Sequence, residues 1–336
     1  MIKIAVDTLG GDRSPDANID GAIVALNQNT DIQLVLVGDE EVIKSKLESK
    51  QYDKSRLEIL HAPDVISCNE KPTEAFKHKP NSSLCKTIEL LKSDDSVQAM
   101  VTTGSTGALL VGAVVTVGRI RGVKRPAFCP LVPTMNRSFV GVCDSGANVD
   151  CDATQLKQFA IMGNLYMKKA FGIESPRVAL LNVGVEEEKG DMLRKEVHQM
   201  LKELPDFNFV GNMESRDLLS GNYDLIVCDG FAGNVLVKST EGACLEMLKM
   251  LKTTFTKNFK NKMGALMLKK DIIATKNYMD YNNYGGAVLL GTQKTIVKGH
   301  GSSKDTAITH CIEQAYNMEK NNLRQAISDA IANGIM

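Results

Sequence analysis

The sequence predicts a doubly wound, three-layer α/β/α fold around a mostly parallel sheet, and three observations predict it. Short β-branched and apolar runs recur at 2–6, 33–37, 56–60, 98–102, 139–143, 177–183, 207–211, 224–228 and 294–298. Helical patterns at 40–49, 83–92, 106–118, 154–171, 189–203, 232–262 and 304–332 separate most of them. Strands alternating with helices imply parallel strands joined by crossover helices. The third observation is composition: 336 residues, 43% hydrophobic and 24% charged, suit a globular chain with a large core. No repeat, low-complexity run or flexible linker interrupts the chain, so residues 1–336 read as a single α/β domain.

IKIAV (2–6) and QLVLV (33–37) are unbroken apolar runs of strand length, as buried parallel strands require. QAMVT (98–102) is another, and the segment after it, LLVGAVVTVG, is apolar all round and reads as a buried helix. Lysine plus arginine equals aspartate plus glutamate at 40 each, so bulk charge calls for neither nucleic acid nor an anionic membrane. The eight cysteines, at 68, 85, 129, 143, 151, 228, 244 and 311, form no CxxC pair and read as small core residues. MIKIAVD runs directly into a strand without a signal-peptide pattern, and no apolar run is long enough for a membrane span. A reducing, cytoplasmic setting is expected.

In open α/β sheets ligands sit beyond the carboxyl ends of the strands. Here those ends read DTLGGD (7–12), TGSTG (103–107), DSGANVD (144–150), GVEEEKG (184–190), DGFAGN (229–234) and GHGSS (299–303). Each alone is an ordinary turn; together they repeat glycine with polar side chains where a ligand belongs. In TTGSTGALLVGA (102–113) a helix begins on glycines and hydroxyls. The unpaired N–H groups and the positive dipole end of a helix start favour an anion. Gly104, Ser105, Thr106 and Gly107 are the expected phosphate-binding residues, although Ser105 or Thr106 as a simple N-cap explains the same pattern. The loop is neither a P-loop nor a GxGxxG fingerprint, which leaves a small oxyanion as its natural ligand.

Lys189, Lys238, Lys298 and His300 bring cations near these ends, and Asn148 and Asn234 bring neutral hydrogen-bonding groups. A lone lysine is more often solvated and a lone histidine more often structural. HExxH, GxSxG and any clustered metal-ligand set are missing from the sequence, which disfavours a zinc hydrolase or a serine triad.

In succession, VDTLGGDRSP (6–15), TTGSTGALLVGA (102–113), RPAFCPLVPT (125–134), DSGANVDCDATQLKQFAIMG (144–163), RVALLNVGVEEEKGD (177–191), CDGFAGNVLVKSTEG (228–242), YGGAVLLG (284–291) and KGHGSSK (298–304) resemble the bacterial acyl-ACP:phosphate acyltransferase family, PlsX. The resemblance implies a homodimer of one α/β/α domain related to phosphotransacetylases and to isocitrate and isopropylmalate dehydrogenases. It implies transfer of a long-chain acyl group from acyl carrier protein to inorganic phosphate, without metal or organic cofactor. The acyl phosphate formed would feed the first acylation of glycerol 3-phosphate, near the enzyme that performs it. On this reading His300, Lys298, Lys189 and Asn234 are catalytic, and Asn148 joins residues 104–107 on phosphate. The chain departs from the family pattern at Arg13, Cys85, Ser105 and Val185. Rival readings are a CoA-dependent phosphate acetyl- or butyryltransferase, an NAD-dependent decarboxylating dehydrogenase, and a non-catalytic carrier-protein or membrane scaffold.

Residues 244–283 are expected to form a helical protrusion. Met247, Leu251, Phe255, Phe259, Met263 and Met267 step by four along one helix face, and no acid lies between Glu246 and Asp271. Lys257 and Lys260 belong to a run of unopposed lysines suited to anionic lipid or to the acidic carrier protein. Leu266 and Leu268 sit where the helix should turn back, as the expected contact with a membrane interface. Peripheral membrane association follows from this segment and from the resemblance.

Overall fold

A computed structural model describes residues 1–67 and 69–336, the side chains of residues 281 and 282 excepted. Cys68 therefore lies outside the described residues. The chain opens β1 (Ile2–Asp7), α1 (Asp16–Gln28), β2 (Ile32–Gly38), α2 (Glu40–Leu47), β3 (Leu57–His61), α3 (Pro72–His78) and α4 (Ser83–Ser93). β4 (Val97–Thr102) and α5 (Thr106–Gly112) follow, with a π-turn continuing the helix over Ala113–Val117. Next come β5 (Ala127–Cys129), β6 (Leu131–Pro133), β7 (Phe139–Cys143), α6 (Ala153–Phe171), β8 (Val178–Asn182), α7 (Met192–Lys202), β9 (Phe209–Glu214) and β10 (Leu225–Val227). A helical run, α8 (Gly230–Thr256), α9 (Phe259–Met267) and α10 (Lys269–Tyr278), leads to β11 (Ala287–Leu290), β12 (Thr295–Lys298), α11 (Asp305–Lys320) and α12 (Leu323–Ala332).

The α/β class and the mostly parallel strands are as the sequence predicts, but the strands form two sheets. One has seven strands in the order β3-β2-β1-β4-β12-β11-β5, the other five in the order β6-β7-β10-β8-β9. Every pairing is parallel except those of β11 with β12 and β5, and of β6 with β7. The chain crosses between sheets at Pro130, whose missing N–H ends β5's ladder while its carbonyl accepts from Val142 N at 3.1 Å. β5 and β6 have three residues each, too few to show a period, and the sequence reading passes over them, β11, α1 and α3. One apolar cluster holds Ile4 and Leu34 of the first sheet with Leu180 and Leu225 of the second, and with Phe159 and Tyr166 of α6. Each such side chain contributes about 1.5–3 kcal/mol on full burial.

Two helices expected as single are broken. The stretch 304–332 divides at Asn322, whose φ of 54° is left-handed and cannot continue a helix. The stretch 232–262 ends at Thr256, and the four-residue stripe breaks with it. Asn258 caps α9 by accepting from Asn261 N, while the Asn261 amide donates to the Thr254 carbonyl at 2.7 Å. Asparagine at this point offers both a cap and a carbonyl partner, which stops one helix and starts another. No residue of α9 or α10 is buried, and of α8 only Gly230, Gly233 and Leu236 are. Cys85, Cys129, Cys143, Cys228 and Cys311 are buried as expected; Cys151 and Cys244 are half-buried.

Candidate active site

Parallel pairing brings the ends of β1, β4 and β12 level, with Lys298 beside Thr102 and Val101 beside Val6. The three following loops then bond to one another. Gly299 N donates to the Thr102 carbonyl at 2.9 Å and Asp12 N to the Gly301 carbonyl at 2.7 Å. Thr103 Oγ1 donates to the Gly10 carbonyl at 2.6 Å, and the buried Asn18 amide of α1 donates to the Asp7 and Gly10 carbonyls at 3.0 Å each. Contact is closest at Gly10, where a Cβ would lie 2.4 Å from Gly104 N. Only glycine fits there.

Beneath these loops lies Asp7, fully buried. Its Oδ2 accepts from Thr102 Oγ1 at 2.6 Å, and that same hydroxyl accepts from Gly104 N at 3.0 Å. Burial pushes the Asp7 carboxyl above its ordinary value, while hydrogen bonds from Ser83 and Thr102 partly oppose the shift. Gly104 N–H is therefore held by the protein itself. Ser105 is the N-cap, its hydroxyl accepting from Ala108 N at 3.4 Å. The N–H groups at the start of α5, on Thr106 and Gly107, have no carbonyl of their own helix to bond. Thr106 is exposed and Gly107 half-buried. Lys298 is buried, with Nζ on the Gly299 carbonyl. His300 is exposed; its Nδ1 lies 2.8 Å from Ser302 Oγ and accepts from Ser302 N at 3.2 Å. A neutral ring accepting at Nδ1 carries its proton on Nε2, the nitrogen away from the loop. Ser302 was expected, with Ser303, to cap the helix beginning near 304. It serves His300 instead, and α11 begins after Lys304 without a side-chain cap.

The second sheet builds its own set of strand ends from β7, β8 and β10. Buried Asp144 organises it: Oδ1 accepts from Phe128 N at 2.9 Å, and Oδ2 from Asn148 N at 2.7 Å and Asn148 Nδ2 at 3.0 Å. Burial raises its carboxyl, against hydrogen bonds led by that from Ala147 N. Asn148 also donates to the Pro126 carbonyl at 2.8 Å, so its amide faces the protein framework. Asn234, half-buried one turn into α8, donates to the Ser145 carbonyl at 3.1 Å. Lys189 is exposed on a loop held by Asn182, whose amide donates to the Lys189 carbonyl at 3.1 Å. Asp229 caps α8 through Ala232 N and pairs with Arg194 of α7, which also bonds Asp191 at 2.9 Å. Burial pushes the neighbouring Cys151 thiol up to about 12, so it is a neutral group and no nucleophile.

The expected residues thus fall into two groups. Gly104, Ser105, Thr106, Gly107, Lys298 and His300 meet on the first sheet; Asn148, Lys189 and Asn234 meet on the second. β5 links the groups through Phe128 and Pro126, and Ala147 packs against the cluster containing Ala108 and Leu109 of α5. Asp7, Asn18, Asp144 and Arg194 escaped the sequence reading as site residues. Asp7 and Asp144 stood in view, as the last polar residue at an apolar strand end. Nothing local marked Asn18 or Arg194, whose roles depend on distant partners. Among the described residues no group of three or more His, Cys, Asp or Glu side chains is placed to hold a metal ion. Backbone donors, two lysines and an imidazole beside buried carboxylates can bind an oxyanion and polarise a carbonyl.

Solved structures share this architecture. A phosphotransacetylase from Streptococcus pyogenes superposes with a TM-score of 0.61 at 17% identity, over 95% of this chain and 94% of that one. A branched-chain phosphotransacylase from Enterococcus faecalis V583 does so with a TM-score of 0.56 at 14% identity, over 95% and 100%. Sequence similarity is far higher to proteins named phosphate acyltransferase. That of Caldanaerobacter subterraneus subsp. tengcongensis is 44% identical over 330 residues, 98% of this chain and 97% of the relative. That of Clostridioides difficile is 39% identical over 331 residues, 98% and 96% of the two. Residues 2–326 match the fatty acid synthesis protein family. A match of that extent, with relatives of this name along nearly the whole chain, decides the assignment: the chain belongs to the fatty acid synthesis protein (PlsX) family and is an acyltransferase.

Proposed function

We propose that this protein transfers a long-chain acyl group from acyl carrier protein to inorganic phosphate, releasing acyl phosphate for phospholipid synthesis. The observation that carries the reading is the meeting of the 7–12, 103–107 and 299–303 loops around the free start of α5. Phosphate is anionic near neutral pH and needs position more than a base; positioning contributes about 7–11 kcal/mol in favourable cases. The N–H groups at the start of α5, with Lys298 and His300, hold it. A phosphate oxygen attacks the thioester carbonyl, and the tetrahedral oxyanion is stabilised by Asn234 and Lys189. Collapse breaks the C–S bond, and the carrier thiolate takes a proton from solvent or from His300 Nε2. Asn148 holds the loop that presents this wall rather than phosphate itself.

The test is phosphate-dependent thiol release from acyl-ACP by the purified protein, with the acyl phosphate trapped as a hydroxamate. Release with acyl-ACP, and little with acetyl- or butyryl-CoA, is the expected result. The reverse preference makes the chain a CoA-dependent phosphate acyltransferase, a reading that the phosphotransacetylase-like fold keeps alive. No release with either donor leaves only a scaffold.

We further propose that the chain works as a cytoplasmic homodimer and touches the membrane through residues 244–283. No helix of the described residues is long and apolar enough to cross a bilayer. Leu266 and Leu268 are exposed at the end of α9, and Phe259 and Met267 more so. With Lys257 and Lys260 beside them, this tip suits an anionic interface or the acidic carrier.

A further inference from the structure

Beside Asn234 opens a cleft of about 470 Å³ whose lining is divided by chemistry. Val149, Leu193 and Phe231 form its apolar part; Arg194 and Asp229 lie together on its polar side. Val149 is 62% exposed and Phe231 63%. Apolar surface of this kind is unfavourable in water by about 25 cal/mol per Å², and here it gathers at strand ends rather than scattering. On α8, positions 231, 234, 235 and 238 follow the i, i+3, i+4, i+7 spacing of one helix face. Asn234 is thus flanked by exposed Phe231 and Val235. The pairing of Arg194 with Asp229 ties the start of α7, where exposed Met192 sits, to the start of α8.

Two features select the occupant. Arg194 is balanced by Asp229 and Asp191, so the cleft offers no net positive charge and does not suit a second anion. Its volume falls in the range of small-molecule sites, about 300–1,000 Å³, whereas a stable protein partner buries about 800 Å² on each side. We infer that this cleft is the acyl subsite: the alkyl chain of the thioester donor lies over Phe231, Val149 and Leu193, with its carbonyl at Asn234. The inference rests on the reaction proposed above and names the part of the site that reads chain length. An alkyl chain bound there covers the apolar lip, and the neutral ion pair beside it asks for no charge in return.

The experiment compares wild type with Phe231→Ser and Phe231→Leu on C16 and C4 acyl-ACP. Binding of a fluorescent polyene fatty acid is measured alongside, because it needs no turnover. Phe231 is exposed and its variants should fold, which melting temperatures check. Phe231→Ser should lower kcat/KM for the C16 donor and weaken probe binding, each about tenfold. The C4 donor should stay within about twofold, since it is too short to reach the ring, and Phe231→Leu should recover most of the loss. Equal loss on both donors, or probe binding unchanged by Phe231→Ser, overturns the inference. So does a dimer that Phe231→Ser splits while the chain-length profile stays the same, since the lip is then covered by a second copy. Wild type that binds the probe but releases no thiol with phosphate sinks the reaction and leaves the subsite standing.

Discussion

At the ends of β1, β4 and β12 the polar groups face one another, whereas at the ends of β7, β8 and β10 they face a cleft. In the first set Asp7, Thr102 and Gly104 form a closed chain of hydrogen bonds, and Asn18 satisfies carbonyls from beneath. In the second set Asp144 closes its own loop, but Lys189 and Phe231 remain exposed around open space. Glycine-rich strand ends of similar composition thus reach different outcomes. The difference follows from the neighbours. Three parallel strands side by side press three loops together, while the second sheet's strand ends are spaced by α7 and α8 and leave a gap. Closed packing gives a rigid place for a small anion, and the gap gives room for a long, flexible chain.

The sharpest way to break this contrast is to remove one group from each set. Asn234→Ala should lower kcat by about 10²–10³-fold, the usual cost of losing a donor to the oxyanion. His300→Ala should also lower kcat far more than it raises KM, provided its role lies in the transition state. Steady-state kinetics with phosphate and donor varied separately decides it. A His300→Ala effect confined to the KM for phosphate would reduce the first set to a binding site.

Gly10→Ala attacks the closed packing itself. Its Cβ meets backbone at 2.4 Å, whereas a Cβ on Gly104 meets the Thr102 hydroxyl at 3.2 Å. Gly10→Ala should therefore cost about 1–3 kcal/mol of stability and weaken phosphate saturation, and Gly104→Ala less of both. Denaturant titration with phosphate-saturation curves is the check. Equal effects would mean that the two loops are not pressed together as described.

A weaker effect is expected from pH. Because burial raises the Asp7 carboxyl, the folded protein holds that proton more tightly than the unfolded chain does. The stability this group contributes is complete below its ordinary pKa and is lost as pH rises through the raised, folded value. Asp7→Asn removes this slope, so its stability relative to wild type should improve from pH 4 toward neutrality. Denaturation midpoints across that range measure it. A difference independent of pH would show that Asp7 is solvated.

The smallest effect on catalysis is expected far from both sets. Leu266→Glu with Leu268→Glu should leave acyl transfer in solution unchanged and release the protein from anionic vesicles, read by co-sedimentation at low salt. Vesicle binding as before would remove the tip as an anchor. Lost transfer with vesicle binding intact would assign it to the carrier protein.

Local order determined much of this protein. Apolar runs of strand length between helical patterns were enough for the α/β class and parallel strands, because burial on both faces forces such runs. The glycine and hydroxyl loops at 7–12, 103–107 and 299–303 were legible for the same reason: each must end a buried strand and open a turn. Only the tertiary structure decided how those loops were shared between two sheets. That division depends on Pro130 and on two three-residue strands too short to carry a period. It also decided that Asn148 braces Asp144 and that Arg194 pairs with Asp229, for each of these bonds joins residues whose placement depends on distant chain segments. Periodicity reports what a residue's own helix or strand requires; it holds no record of which polar group will stand opposite once the sheets are assembled.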